Sequence, residues 1–313
     1  MRVVFLGTPE FALPSLEALA DSSSEIAAVI TQPDRPAGRG QKASPPAVKT
    51  RALARGLPVY QPERIRSEEN RALLEALRPD FLVVVAYGQI LPRWLLDLPA
   101  VAPANVHASL LPLYRGAAPV AWALLRGDPV TGCTTMLMEE TLDTGPILLA
   151  RSLPVPPEMT CGELERALAR LGAELLLPTL DGLAAGRIYP RPQDDRQAVA
   201  APKITKEMAR IDWHRPSVEI HNRVRAFNPW PLARARFRGQ DLLVARTRPA
   251  GAEPEEPGAP GTVVSLTSDA LRVRCGGGTA LDLLEVQVAG RKRVSGRDFA
   301  SGFRLRPGDT LSG

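Results

Sequence analysis

Aromatic residues are scarce in this 313-residue chain, at 5%, so any core must rest on Leu, Val and Ala. Only three cysteines occur, Cys133, Cys161 and Cys275, far apart and without a CxxC spacing. That argues against a zinc site and a secreted disulfide scaffold, and predicts reduced thiols in a cytoplasmic protein. No apolar run reaches the ~18 residues that a membrane helix needs; the longest, at 81–86, is strand-sized. The stretch from Met1 to Gly7 is too short an apolar segment for a signal peptide. No GxGxxG or Walker motif is present, so a dinucleotide or ATP site has weak support. A nucleophile elbow is also missing, and Ser109 has no base placed for it by sequence, which disfavours covalent catalysis.

Proline, by contrast, is abundant: 31 residues, about twice the ordinary share, pointing to many rigid turns. The length suggests two domains at ~150 residues each. Charge divides unevenly between them. Residues 203–313 hold 19 Lys+Arg against 12 Asp+Glu, a surplus of seven, whereas residues 1–202 hold 20 against 22. A near-neutral first part and a basic second part fit a catalytic domain joined to a polyanion-binding one, although scattered basic surface would give the same count.

The first 150 residues alternate strand and helix patterns. Val3-Val4-Phe5-Leu6 runs into Gly7-Thr8-Pro9, and 26–30 form a second strand. Ser67 is placed to cap a helix carrying Leu73 and Leu77, stopped by Pro79. Residues 81–86 are apolar at every position, as in a central strand covered on both faces. Together they predict a parallel α/β sheet. Thr160-x-x-Glu163 reads as a capping box opening a long amphipathic helix. Residues 187–203, with three prolines and little periodicity, read as a linker between domains at 1–186 and 204–313. Beyond it, short alternating strands suggest a small β-barrel, with a hairpin about Gly239 and a loop at 249–261 too rich in Pro, Gly and Glu to pack.

In an open α/β sheet the chemistry belongs at the carboxyl ends of the strands. Asn105 and His107 are two apart, so on an extended segment they leave the same face. An amide donor beside an imidazole can polarise a carbonyl and move a proton, although a lone strand histidine is more often structural. A carboxylate to orient His107 is expected past the strand at 136–138, where Leu142-Asp143-Thr144-Gly145-Pro146 follows. Asp143 could equally be a turn former. The other histidines, His214 and His221, are read as surface or RNA-facing.

Asn105-Val106-His107, Ser109-Leu110-Leu111-Pro112, Tyr114-Arg115-Gly116 and Leu142-Asp143-Thr144-Gly145 resemble the formyltransferases that use 10-formyltetrahydrofolate. Further segments extend the likeness to the methionyl-tRNA formyltransferases: 5–9, 31–40, Val85-Ala86-Tyr87-Gly88, 209–213 and 225–231. The resemblance implies a Rossmann-like formyltransferase domain followed by an OB-like barrel, with 10-formyltetrahydrofolate as cosubstrate and no metal. It implies initiator methionyl-tRNA as acceptor, with Asn105, His107 and Asp143 catalytic. Ser109, Leu110, Leu111, Pro112, Ala86, Tyr87, Gly88, Gln89, Ile90 and Leu91 would line the folate pocket. The Pro/Gly-rich loop 31–42, bearing Arg35, Arg39 and Lys42, would enter the acceptor stem, and Arg291, Lys292 and Arg293 would meet the tRNA backbone. A monomer is expected. Two alternatives are a formyltransferase acting on a small amine, such as a purine-precursor ribonucleotide or a nucleotide amino sugar, and an RNA-binding module with an inactive enzyme domain. The intact Asn105, His107 and Asp143 set opposes the second.

Overall fold

The computed structural model describes residues 1–37, 42–252 and 258–313. They divide into two compact units. One comprises Met1–Pro119, Val130–Pro154 and Glu165–Ala201; the other comprises Val120–Pro129, Val155–Leu164 and Pro202–Gly313.

Down the chain come β1 (Arg2–Gly7), α1 (Leu13–Ala20), β2 (Glu25–Ile30), β3 (Arg35–Ala37) and β4 (Lys42–Ser44). Next are α2 (Ala47–Ala54), β5 (Val59–Tyr60), α3 (Glu68–Leu77), β6 (Phe81–Val85), α4 (Arg93–Leu96) and β7 (Ala102–His107). Then follow α5 (Pro119–Arg126), β8 (Val130–Leu137), β9 (Ile147–Pro154) and α6 (Cys161–Ala184). A seven-stranded sheet runs in the order β5-β2-β1-β6-β7-β8-β9. Burial explains the unbroken apolar run of β6. Phe81, Val83 and Val85 pack on one face with Leu16, Leu19, Leu176 and Leu180, while Leu82 and Val84 pack on the other with Leu74, Tyr87 and Leu95. Both faces are covered, as a parallel sheet requires.

Five strands from β5 to β7 pair in parallel, giving the Rossmann-like α/β arrangement. The rest of the sheet differs from the parallel expectation. β8 starts at Val130, ahead of the expected 136–138, and both β8 and β9 pair antiparallel. For β9 the reason is local: β8 and β9 are joined by the short connection 138–146, too short for a parallel crossover.

Other local expectations fare unevenly. The Thr160 box forms: the Thr160 N–H and hydroxyl both donate to Glu163 Oε2, at 2.8 and 2.7 Å. Ser67 occupies the N-cap of α3, but its hydroxyl accepts from the Asn70 side chain and caps no backbone N–H. Segment 31–42 is not a plain loop, since β3 and β4 pair as an antiparallel ribbon with Ala37 opposite Lys42. Segment 187–203 carries two isolated bridges, Ile147 with Arg191 and Arg115 with Ala200.

The second unit contains α7 (Ser217–Ala226), β10 (Ala233–Phe237), β11 (Gln240–Ala252) and β12 (Val263–Leu266). Beyond them are β13 (Leu271–Arg274), β14 (Thr279–Val288), β15 (Val294–Ser295) and α8 (Gly296–Phe303). Its antiparallel sheet follows β10-β11-β14-β13-β12, with β15 added on β14. The tail at 309–312 bonds to both edges, through Val263 N to Asp309 O and Arg236 N to Ser312 O. This is consistent with an OB-like architecture, an antiparallel sheet that does not close by strand pairing, with the tail bonded to its edge strands. The hairpin about Gly239 is present. Residues 249–252 are not loop, however: they extend β11 and pair with β14, Pro249 lying opposite Leu281. His221 is also no surface group. It is buried, with Nδ1 3.0 Å from the Thr247 hydroxyl and Nε2 3.0 Å from the Pro157 carbonyl. His214 is exposed.

Candidate active site

Strand β7 ends in Asn105-Val106-His107, and its alternation sends Asn105 and His107 to one face. Both are buried, at 8% and 6% exposure. The Asn105 amide takes no protein hydrogen-bond partner among the described residues, so its donors and acceptor are free for a ligand. His107 is half committed. Its Nε2 lies 3.0 Å from the carbonyl oxygen of Tyr114, and a carbonyl only accepts, so Nε2 carries a proton. Nδ1 is the nitrogen left over, and it faces Asp143 Oδ2 at 3.7 Å.

Asp143 arrives by a detour. Leu137, the last residue of antiparallel β8, pairs with Ala104, while His107 pairs with Thr134 further back. The connection must therefore double back along β7 to bring Asp143 to His107. A tight turn achieves this: Asp143 has φ +58°, and Gly145 sits where a Cβ would lie 1.9 Å from the Leu137 carbonyl. The carboxylate is fixed by the Gly116 N–H, which donates to Oδ2 at 2.8 Å. Gly116 has φ +127° and no room for a Cβ, which would meet Ala201 O at 2.6 Å. One loop, Tyr114-Arg115-Gly116, thus anchors both His107 and Asp143 through its backbone.

The remaining sequence-derived candidates are spread more widely. Ser109 is buried and donates to Leu113 O, while Thr134 Oγ1 donates to Ser109 O at 2.7 Å and accepts from Leu111 N at 3.1 Å. Leu110 packs against Gly132, and the Leu111–Pro112 bond is cis. Ala86 and Gly88 have φ +50° and +90°, flanking Tyr87, whose carbonyl accepts from Thr8 Oγ1 and Gln32 Nε2. The Tyr87 hydroxyl is buried without a partner, and burial pushes its phenol well above the ordinary value. Gln89 is tied to Pro62, Glu63 and Ile65; Ile90 is 81% exposed and Leu91 buried. Neither segment lines the hollow of about 420 Å³ between α4 and the Asp143 connection. That hollow is lined by Arg93, Leu96, Pro103, Met138, Glu139 and Glu140, among others. No sequence signal marked these residues, because the hollow comes from juxtaposing α4 with a connection more than 40 residues later. Its size falls in the range of ligand sites.

Arg35 is exposed, with a 3.3 Å contact to Gln32 Oε1; Lys42 opens β4, and Arg39 lies outside the described residues. Arg291, Lys292 and Arg293 are exposed together after β14. Among the described residues no group of three or more His, Cys, Asp or Glu is placed to hold a metal, and no helix is long and apolar enough to cross a membrane.

Comparison with known proteins gives a consistent picture. The sequence model of the Formyl transferase family matches residues 1–180, and that of the Formyl transferase C-terminal domain matches 203–304. The chain is 49% identical over 311 residues to the methionyl-tRNA formyltransferase of Pelobacter propionicus, covering 99% of this chain and 96% of the relative. It is 50% identical over 311 residues to that of Solibacter usitatus, covering 99% and 98%. Among solved structures it is similar in fold to HypX from Aquifex aeolicus in complex with tetrahydrofolic acid, at a TM-score of 0.62 and 18% identity. That match covers all of this chain, which spans about half (51%) of HypX. The sugar 3N-formyltransferase WlaRD gives a TM-score of 0.66 at 17% identity, covering 93% of this chain and 99% of WlaRD.

Proposed function

Because the chain belongs to the formyl transferase family, we infer that it moves a formyl group from 10-formyltetrahydrofolate to the α-amino group of methionine on initiator tRNA. The product is N-formylmethionyl-tRNA for translation initiation. The observation that carries this reading is the extent of the likeness. Relatives named for this activity match 99% of the chain, through both units, at 49 and 50% identity.

Asn105, His107 and Asp143 are assigned the chemistry. An α-amino group has a reference pKa near ~7.7–8.0, and esterification of the neighbouring carboxylate lowers it, so a large share of the amine is neutral at pH 7. The amine attacks the formyl carbon, a C–N bond forms, and the carbonyl oxygen becomes an oxyanion. Asn105, with its amide uncommitted to protein, donates to that oxygen. His107 donates from Nδ1 when protonated, since Nε2 is spent on Tyr114. Asp143 balances the imidazolium charge. Collapse breaks the bond from carbon to N10 of the folate; the amine loses its proton, and N10 gains one through the His107–Asp143 pair.

Residues 86–91 and 109–112 are assigned to the folate site, in keeping with the resemblance to folate-dependent formyltransferases. Arg35, Arg39, Lys42, Arg291, Lys292 and Arg293 are assigned to the tRNA. Catalysis is placed in residues 1–186 and tRNA binding in 204–313, joined by 187–203, in a cytoplasmic monomer.

Acceptor choice tests the function. Supplied with 10-formyltetrahydrofolate, the protein should formylate charged initiator tRNA and leave glycinamide ribonucleotide and nucleotide amino sugars untouched. Formylation of a small amine in preference to the charged tRNA would refute it.

A further inference from the structure

We propose that Gln193 is a positioning residue for the Asp143 carboxylate, acting through the backbone of the turn that carries it. This rests on the catalytic role assigned to Asp143 above. Gln193 lies in the proline-rich stretch that sequence alone presents as a mere connection, yet its side chain reaches the site. Its Nε2 lies 2.9 Å from the carbonyl of Asp143 and 2.7 Å from that of Gly145, so both amide hydrogens hold the two carbonyls flanking Thr144. Its Oε1 accepts from Nε and a terminal nitrogen of Arg115, at 3.0 and 2.8 Å. The orientation of the amide is thereby fixed. A flip would set Oε1 against two carbonyls and Nε2 against a guanidinium.

This turn needs such a clamp. Asp143 has φ +58°, a region that a residue with a side chain occupies only when its surroundings enforce it. Leu142 beside it is 66% exposed, so packing contributes little at that point. Gln193 is itself held on both sides. Arg191 exchanges two backbone hydrogen bonds with Ile147, at 2.8 and 2.9 Å. Arg115 N donates to Val199 O, and Ala201 N to Arg115 O. Arg115 stands between Tyr114, which holds His107, and Gly116, which holds Asp143. A single strap-and-loop frame therefore sets His107 through a carbonyl, the Asp143 carboxylate through an N–H, and the Asp143 backbone through Gln193. A glutamate at 193 would keep the acceptor for Arg115 but present oxygens to two carbonyl oxygens.

Formylation kinetics of the full-length protein test this. Gln193→Ala should lower kcat on the order of 10- to 100-fold, the effect of misplacing a catalytic group by about an ångström. KM for folate and for charged tRNA should stay within about threefold, because neither ligand is touched. Gln193→Glu should be as impaired as Gln193→Ala, and it serves alone should the alanine variant fail to fold. In an Asp143→Ala background, Gln193→Ala should cost no more than about twofold, since residues acting as one unit are not additive. An unchanged kcat, a loss appearing only in KM, or the same factor in both backgrounds would overturn the proposal. The functional reading fails separately: wild-type protein would then not formylate charged tRNA at all.

Discussion

Nε2 of His107 lies 3.0 Å from the carbonyl oxygen of Tyr114, seven residues further on, and this fixes which ring nitrogen is available for chemistry. With Nε2 donating there, Nδ1 alone can serve Asp143 or a substrate atom. Histidine and carboxylate should therefore behave as one device. The alanine variants of His107 and Asp143 and their double variant, compared by kcat/KM, should show the double scarcely worse than the poorer single. Additive losses would mean independent roles.

Gly145 should be irreplaceable for steric reasons. An alanine Cβ would sit 1.9 Å from the Leu137 carbonyl, a contact that only backbone movement can relieve. Gly145→Ala should cost at least about 1–3 kcal/mol of stability, as overpacked sites do. It should also cut formylation more than tenfold, because the displaced turn carries Asp143. Chemical denaturation and steady-state assays check the two effects separately.

The candidate pair was legible in the sequence only in part. Spacing puts Asn105 and His107 on one face of a strand, but it was the resemblance to formyltransferases that pointed to chemistry there. What holds His107 and Asp143 is mostly backbone: the Tyr114 carbonyl and the Gly116 N–H carry no residue-type signal. Gln193 was hidden for a different reason. It lies 50 residues from Asp143 in a stretch without periodicity, and its role comes from tertiary placement. The antiparallel turn of the sheet was missed because β8 has the same apolar content whichever way it runs. Segment 249–252 misled through composition: Pro and Gly argued for a loop, but pairing with β14 overrode local propensity.

Acid should weaken the second unit through Glu163. The Thr160 N–H, the Thr160 hydroxyl and Arg246 hold its carboxyl at about 2, below the ordinary 4.5. A depressed carboxylate contributes stability that is fully present above pH 4.5 and is lost as pH falls toward 2. The side chain is about one-third exposed, at 34%, so screening trims the gain to about 1 kcal/mol. Glu163→Gln should thus lower the melting temperature at pH 7 by roughly 2–4 °C. It should also flatten the pH dependence between 4.5 and 2. A variant retaining the wild-type acid profile would remove Glu163 from this role.

The exposed run Arg291-Lys292-Arg293 should show in the salt dependence of tRNA binding. Each phosphate neutralised adds roughly 0.7–0.9 to the slope of log K against log salt, so intact protein should give a slope of about −2 to −5. Replacing all three with alanine should make it shallower by about 1–2, at unchanged folate affinity. Equal slopes would place the tRNA elsewhere.

The most direct test of the account follows a labelled formyl group from 10-formyltetrahydrofolate to charged initiator tRNA in a single turnover, with wild-type protein and Asn105→Ala. The label should appear in N-formylmethionine released from the tRNA. The variant should bind folate normally yet transfer roughly 100- to 1000-fold more slowly, the usual cost of one oxyanion donor. Transfer by Asn105→Ala within threefold of wild type would contradict the assigned mechanism, and no label in methionine with wild-type protein would contradict the function itself.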